Sequence, residues 1–376
     1  MSSLLVEEIQ AVRKFFKLPK EERELVFYGE RGGYWVAFEG IIQELLKQYA
    51  RPFCYVTSDA KDPVLQSRSP QIQAFYINHL LPFFLRLVDA KVFATTTPDL
   101  GKWYFGHSRH SAHYVYLFHS LISAHAGYNF GAFDNYDSML CVGPYQLKEL
   151  RRQEELYDLR QKRLVEAGYW RLERIMEAWR QQKAHTGGER KTVLIAPSWG
   201  EKNVLESCGI ELISTLLNSG YKVIARPHTE TIKRFPGLAR EIEQSFKEEP
   251  NFILERSNAS DSSILDSDVL ISDASGITLE YAFGTERPVL FLDVPPKIRN
   301  PRYQELGMEP LELSLREKIG RLVSVSQIAQ LPNILQEMNR NKAQFVKSIL
   351  DLRQQNVYTI GSSSKVGADY IMSLLR

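Results

Sequence analysis

The apolar positions of this chain fall into two successive series of short hydrophobic runs separated by helix-period stretches. Residues 25–28 read as a short strand, followed by Gly29-Glu30-Arg31-Gly32-Gly33 and a helical pattern through about Gln48. Residues 53–57, 92–94, 114–118 and 139–142 read as further buried strands, with a helical stretch near 72–88. From Gln146 to about Lys183 the pattern becomes a long charged helix, in which Leu172, Ile175, Met176 and Trp179 fall at i, i+3, i+4 and i+7 and form one apolar stripe. Thr186-Gly187-Gly188 breaks it, and a second series begins: 192–196, 221–225, 252–254, 268–272 and 288–292 as strands with helices between. Strands alternating with helices predict βαβ units and mostly parallel sheets. The expectation is α/β, with two doubly wound domains, residues 1–187 and 188–355, facing a cleft. Residues 356–376 form a terminal helix that closes the second domain or crosses back onto the first.

Two motifs stand where predicted strands end. Residues 223–225 run into Arg226-Pro227-His228; residues 269–272 run into Asp273-Ala274-Ser275-Gly276 and then Leu279-Glu280-Tyr281. In an open α/β sheet, ligands bind beyond the carboxyl ends of the strands. A helix beginning at Ser275 and Gly276 offers unpaired N–H groups and the positive end of its dipole to an anion. Pro227 restricts the backbone of Arg226, so Arg226 is set to grip a phosphate and His228 to donate to a bridging or leaving oxygen. Each motif also has a plain structural reading. Arg226 could pair with a local carboxylate, His228, Asp273 and Ser275 could cap helices, and Glu280 could be a surface helix residue.

Composition narrows the class. The chain has 376 residues, 44% hydrophobic and 24% charged, with 47 basic and 45 acidic side chains. This is the profile of a globular protein of two ordinary domains, and a net charge of +2 implies no nucleic-acid partner. Cys54, Cys141 and Cys208 lie far apart with no CxxC pair, as expected of buried thiols in a reducing compartment. The first twenty residues carry Glu7 and Glu8 without an apolar core, so no signal peptide is read; residues 80–88 are too short to span a bilayer. The expected location is cytoplasmic. Between Lys148 and Lys191, twelve Lys/Arg face eight Asp/Glu, with Trp170 and Trp179 among them. Such a segment suits either an interdomain helix or contact with the inner face of the cell membrane.

Five of the eight histidines, His107, His110, His113, His119 and His125, lie within nineteen residues. Their spacing fits no zinc signature. His119 follows an apolar strand, where a general base acting on an acceptor hydroxyl would stand; His125 is a candidate acceptor-side neighbour, and the other three fit a surface loop. Gly32 and Gly33 precede a helix without forming GxGxxG or a P-loop, and are weak acceptor-side candidates or simply turn residues. No resident cofactor is implied. The Asp134 and Asp137 pair is held in reserve for a divalent cation.

These residues together resemble the CDP-glycerol glycerophosphotransferase family, the teichoic-acid primases and polymerases. The family's Arg-Pro-His-Pro matches Arg226-Pro227-His228-Thr229, its Asp-Tyr-Ser-Ser matches Asp273-Ala274-Ser275-Gly276, and its Phe-Glu-Tyr matches Leu279-Glu280-Tyr281. Pro197-Ser198-Trp199 is similar to Pro-Thr-Trp, and Phe118-His119-Ser120 to Trp-His-Gly, so the likeness covers about 110–295. Thr229, Ser120 and Gly276 depart from the pattern and mark a divergent branch. The resemblance implies a glycosyltransferase-B-like fold of two Rossmann-like domains and a CDP-activated polyol donor. The acceptor would be a polyol-phosphate or glycan hydroxyl of a bacterial wall or capsule polymer, or its lipid-linked primer. It assigns His119 and His228 to catalysis and Arg226, Asp273, Ser275, Gly276 and Glu280 to the donor. A nucleotide-sugar glycosyltransferase or UDP-sugar 2-epimerase would look broadly similar, as would a non-catalytic subunit that binds nucleotide or polyol phosphate.

Overall fold

A computed structural model describes residues 3–182, 191–256 and 260–376. The chain divides into two compact units: residues 1–119, 128–171 and 357–376 form one, and residues 120–127 and 172–356 the other. The expected boundary at 187/188 lies outside the described residues, and the change of unit comes earlier, between Arg171 and Leu172. The terminal segment, left open by its sequence, belongs to the first unit. Its helix Ser363–Leu375 packs on the helix Trp35–Tyr49, where Gly367 admits Ile41 at a distance a side chain would block.

The first unit holds seven parallel strands: β1 Leu25–Gly29, β2 Phe53–Thr57, β3 Ile72–Tyr76, β4 Val92–Thr95, β5 His113–Leu117, β6 Ser138–Cys141 and β7 Arg163–Glu166, in the order β3-β2-β1-β4-β5-β6-β7. Among the described residues, the second holds six: β8 Thr192–Ile195, β9 Lys222–Ala225, β10 Phe252–Leu254, β11 Val269–Ser272, β12 Val289–Asp293 and β13 Gly320–Ser324, in the order β10-β9-β8-β11-β12-β13. Each is a doubly wound sheet whose order reverses beside its first strand, between β1 and β4 and between β8 and β11. Those reversals open the crevices in which such sheets bind ligands. Interior strands such as β1, β2, β4 and β8 are buried along their whole length, which is why they read as uninterrupted apolar runs.

Two expectations fail, both at sheet edges. The stretch 72–88 is a strand, β3, followed by a short helix, Leu81–Leu87. The single long helix expected over 146–183 is two helices, Pro144–Leu156 and Trp170–Gln182, separated by β7. β7 is half exposed at the sheet margin, so its Arg-Leu-Val-Glu pattern lacks the apolar run of a central strand. β13 is another edge strand that the pattern does not announce. Its Gly320 pairs with Val289, and a Cβ there would lie 1.8 Å from the Val289 carbonyl oxygen. Gly320→Ala therefore forces β13 off its register position. A loss of about 2 kcal/mol in urea unfolding is expected, and an unchanged midpoint would refute this reading.

Trp170 and Trp179 are turned inward. Trp179 is buried with the Arg287 guanidinium stacked 3.8 Å from its ring centre, and Trp170 lies against Gly40, where a Cβ would meet the indole. Membrane contact through these two tryptophans is therefore not what they provide. No described helix is long and apolar enough to cross a membrane. The three cysteines are buried and free; burial pushes the Cys54 thiol up to about 12, that of Cys208 up to about 11, and that of Cys141 higher still.

Candidate functional site

The crevice of the second unit is built from three strand ends. β8 runs into Pro197-Ser198-Trp199, and β11 into Asp273. The Ser198 N–H donates to Asp273 Oδ1 at 2.8 Å, and its hydroxyl to Oδ2 at 3.0 Å. Asp273 is buried, which raises its carboxyl above the usual range against the pull of these two bonds. It joins the strand ends across the point of reversal rather than facing a ligand. Through Ser198 it fixes the neighbouring Trp199.

Trp199 gathers cations. After β12, Pro295-Pro296 leads into Lys297, whose Nζ lies 3.1 Å from the centre of the Trp199 ring. The guanidinium carbons of Arg234 and Arg299 lie 4.9 and 5.8 Å from it, and the His228 ring 6.2 Å away. The electron-rich indole face holds such charges close together. Arg234 also donates to Glu230 at 2.8 Å. Lys297 and Arg299 have no carboxylate ion pair among the described residues. Burial, and next the like charge of Arg299, push the Lys297 ammonium down to about 6; Asp273 and Glu230 oppose this, and Arg234 adds to it. These partly desolvated cations outnumber their counter-ions, and an incoming anion would complete the set. Sequence reasoning missed Lys297, Arg299 and Arg234; the signal available was Lys-Ile-Arg behind two prolines at a strand end.

The predicted donor residues are not equivalent. The Arg226 guanidinium is buried, with Nη1 donating to Ser263 Oγ at 3.0 Å and Nε 3.7 Å from Glu255. It ties the ends of β9 and β10 to the helix Ser262–Asp266. The His228 Nδ1 accepts the Glu230 N–H at 3.1 Å and caps a short helix. That contact assigns the ring proton to Nε2, which is then a donor. Ser275 is the half-exposed N-cap of the helix Gly276–Thr285 and makes no side-chain cap bond. Nine of that helix's ten residues are buried. Glu280 is among them, one turn beyond Gly276 on the same face, so the surface reading of Glu280 does not hold.

In the first unit, His119 lies two residues beyond β5. Its ring meets those of Tyr34 at 5.0 Å and Tyr128 at 6.3 Å, its carbonyl accepts the Tyr169 hydroxyl at 2.8 Å, and its Nδ1 has no hydrogen-bond partner among the described residues. Burial first, then the Arg171 charge, lower its pKa to about 4. The Gly32–Tyr34 turn, whose Gly32 N–H donates to Asp59 at 3.2 Å, brings Tyr34 to this ring, so the glycine loop and His119 share one neighbourhood. Gly33 meets nothing that a side chain would disturb.

His125 departs from its acceptor-side expectation. It sits fully buried within the second unit, its Nε2 3.1 Å from the Met308 carbonyl and its own carbonyl accepting Asn300 Nδ2 at 2.8 Å. It is an anchor of the 120–127 segment. His113 lies in β5, its Nε2 2.9 Å from Ser138 Oγ, and the His107 ring packs on Tyr114 at 4.9 Å. Asp137 is engaged by the Tyr114 N–H at 2.8 Å and Arg160 at 2.9 Å. No group of three His, Cys, Asp or Glu among the described residues is arranged to hold a metal ion.

The fold recurs in solved structures. The wall teichoic acid polymerase TagF, from a CDPG soak, matches over 98% of this chain and 94% of its own, at 15% identity and a TM-score of 0.65. UDP-GlcNAc 2-epimerase from Neisseria meningitidis matches over 93% and 99%, at 12% identity and 0.61. A glycosyltransferase from Rickettsia africae matches over 94% and 99%, at 10% identity and 0.54. At such identities the likeness is one of fold, that of the glycosyltransferase-B enzymes. No curated protein matches the sequence significantly. The family model for CDP-glycerol:poly(glycerophosphate) glycerophosphotransferase matches residues 133–294, a span that takes in Trp199, Arg226, His228 and Asp273–Tyr281 and begins after His119. Over residues 133–294, rather less than half of its length, the chain is similar to the CDP-glycerol:poly(glycerophosphate) glycerophosphotransferase family.

Proposed function

We propose that the protein transfers a glycerol-phosphate or related polyol-phosphate unit from a CDP-activated donor to an acceptor hydroxyl, releasing CMP. The observation that carries this reading is the cluster of Lys297, Arg299 and Arg234 around Trp199, at the strand ends beside the point of reversal in the second unit. A pyrophosphate diester is a compact dianion, and such a cluster matches it in sign. The family match supports a CDP-activated polyol as the donor.

In the proposed reaction the acceptor oxygen bonds to the β-phosphorus while the bond from that phosphorus to the bridging oxygen breaks. CMP leaves with that oxygen, and the hydroxyl proton passes to His119 Nδ1. Phosphoryl transfer of this kind is governed by positioning and charge stabilisation. Lys297, Arg299 and Arg234 hold the pyrophosphate charge, with the Ser275 hydroxyl and the Gly276 N–H; the Ser275 N–H itself donates to the Asp273 carbonyl at 3.0 Å. His228 Nε2–H donates to the departing CMP, and Glu280 accepts from a ribose or glycerol hydroxyl. Arg226 and Asp273 act behind them by fixing the strand ends. The acceptor in this reading is a wall or capsule polymer or its lipid-linked primer. A primer at the cytoplasmic membrane face would have to be met by residues other than Trp170 and Trp179.

Thermal-shift titration with CDP-glycerol, CDP-ribitol and UDP-GlcNAc tests the donor, and CMP release on adding a polyol-phosphate acceptor tests the transfer. Stabilisation by the CDP-polyols and acceptor-dependent CMP are expected. Stabilisation by UDP-GlcNAc alone would move the protein to the nucleotide-sugar enzymes. Stabilisation by CDP-glycerol without CMP release would make it a binding subunit.

A further inference from the structure

The segment Ser120–Gly127 belongs to the second unit although it lies in sequence between β5 and β6 of the first. It is a strap held at several points. The Ser123 N–H donates to Glu312 at 2.9 Å, and the Leu311 N–H to Ser123 Oγ at 2.8 Å. The Arg299 N–H donates to the Ala126 carbonyl at 2.9 Å, and His125 and Asn300 are joined as described above. Ser123, His125 and Asn300 are all buried. Buried, hydrogen-bonded anchors of this kind leave the strap little freedom to shift.

The front of the strap meets the first residue of the Gly276–Thr285 helix. A Cβ on Gly276 would lie 2.0 Å from Ser120 Oγ, 3.2 Å from Ile122 Cγ2 and 3.4 Å from Ser120 Cβ. The Ser120 hydroxyl thus fills the volume that a side chain at 276 would occupy. Gly276 has ordinary backbone angles, so its lack of a side chain serves this close approach and not a turn. The Ser120 hydroxyl has no hydrogen bond to another described residue, and the N-cap Ser275 beside it makes no side-chain cap bond. Two of the chain's departures from the resembled motifs, serine for glycine at 120 and glycine for serine at 276, meet at this one contact.

We propose that Ser120 and Gly276 are a matched pair in which the strap, and not the helix, supplies the hydroxyl at the first turn of the Gly276–Thr285 helix, making Ser120 a donor-positioning residue. The positioning role rests on the donor site proposed above; the steric pairing does not. A serine introduced at 276 while Ser120 remains would place two side chains in one volume and drive the anchored strap away from the helix. With glycine at 120, the same serine has room, and its own hydroxyl takes over the position. The exchange moves one hydroxyl from one side of the contact to the other and leaves the volume filled.

Four variants, Gly276→Ser, Ser120→Gly, Ser120→Ala and the double Ser120→Gly/Gly276→Ser, are compared by melting temperature without ligand and by CDP-glycerol affinity. Gly276→Ser is expected to melt several degrees lower and bind at least tenfold more weakly. Ser120→Gly and Ser120→Ala remain folded and each lose about tenfold in affinity, the size of one hydrogen bond to a charged group. The double variant regains the melting temperature and binds within about threefold of the parent. A double variant that melts as low as Gly276→Ser overturns the pairing, and this readout stands even if the parent binds no CDP-glycerol. Should Gly276→Ser not fold, recovery of a folded double variant reports the same rescue. Unchanged affinity in both Ser120→Gly and Ser120→Ala overturns the positioning role while leaving the donor site intact.

Discussion

Replacing His119 with alanine is expected to slow acceptor-dependent CMP release by about a hundredfold to ten-thousandfold, the usual contribution of a positioned general base. The CDP-glycerol-induced thermal shift should persist, because the cations assigned to the donor lie elsewhere in sequence. The imidazole suits the part: Nδ1 has no hydrogen-bond partner among the described residues, and burial with the Arg171 charge keeps the ring neutral at neutral pH. A lowered histidine pKa means that the folded state prefers the neutral ring. The stability linked to it is complete above the unfolded value near 6.5 and is lost as pH falls towards about 4. His119→Asn should therefore flatten acid denaturation across that window as well as slowing the reaction. Rates are compared per folded protein, so a purely structural role would appear in the melting curve and not in CMP release. Normal CMP release from His119→Ala would end the general-base assignment.

Replacing Lys297 with methionine should move stability and binding in opposite directions. The ammonium is disfavoured in the folded protein, so the stability linked to it is present above the unfolded pKa of 10.5 and is lost as pH falls towards about 6. At pH 7 the unliganded Lys297→Met protein should accordingly melt higher than the parent. CDP-glycerol affinity should drop by about tenfold to a hundredfold with the charged contact gone. Binding the donor requires Lys297 to be charged. Above about pH 6 the parent must then take up a proton on binding, and its affinity should fall by up to tenfold per pH unit.

The donor's pyrophosphate keeps its charge across this range. Glu230 and Asp273 are the carboxylates facing Lys297, and His228 is the other titratable ring beside Trp199. Calorimetry in buffers of different ionisation enthalpy reads the proton uptake directly. The pH slope should survive in His228→Asn, which can still cap its helix, and vanish in Lys297→Met. A slope lost with His228 and kept without Lys297 would assign it to the wrong group here.

Interior strands were legible because both their faces are buried and a continuous apolar run is the only pattern that satisfies this. Thus β1, β2, β4, β5, β6, β8 and β11 lie within a residue or so of their expected bounds. Of the edge strands, β10 was read at 252–254, but β3, β7 and β13 were not, since one side faces solvent and their polar residues mimic helix or loop. Within the site, the strand-end motifs around 226–228 and 273–281 were visible, but their contacts were not. Arg226 and Asp273 read equally well as phosphate ligands or struts, and the partners Ser263, Glu255 and Ser198 are 37, 29 and 75 residues away in sequence. Nor could spacing reveal that Lys297, Arg299 and Arg234 all lie close to the Trp199 ring.

The sequence by itself determined the α/β class, the two tandem sheets and the strand ends at which chemistry would gather, because periodicity and strand-end punctuation are local properties of the chain. Only the tertiary structure decided which side chains stand in those places. It turned Arg226 and Asp273 to holding strand ends, set Lys297 over Trp199, returned residues 357–376 to the first unit and sent residues 120–127 into the second. Those outcomes depend on which distant residues offer a partner to a buried charge or volume to a side chain, and such offers exist only once the chain has folded.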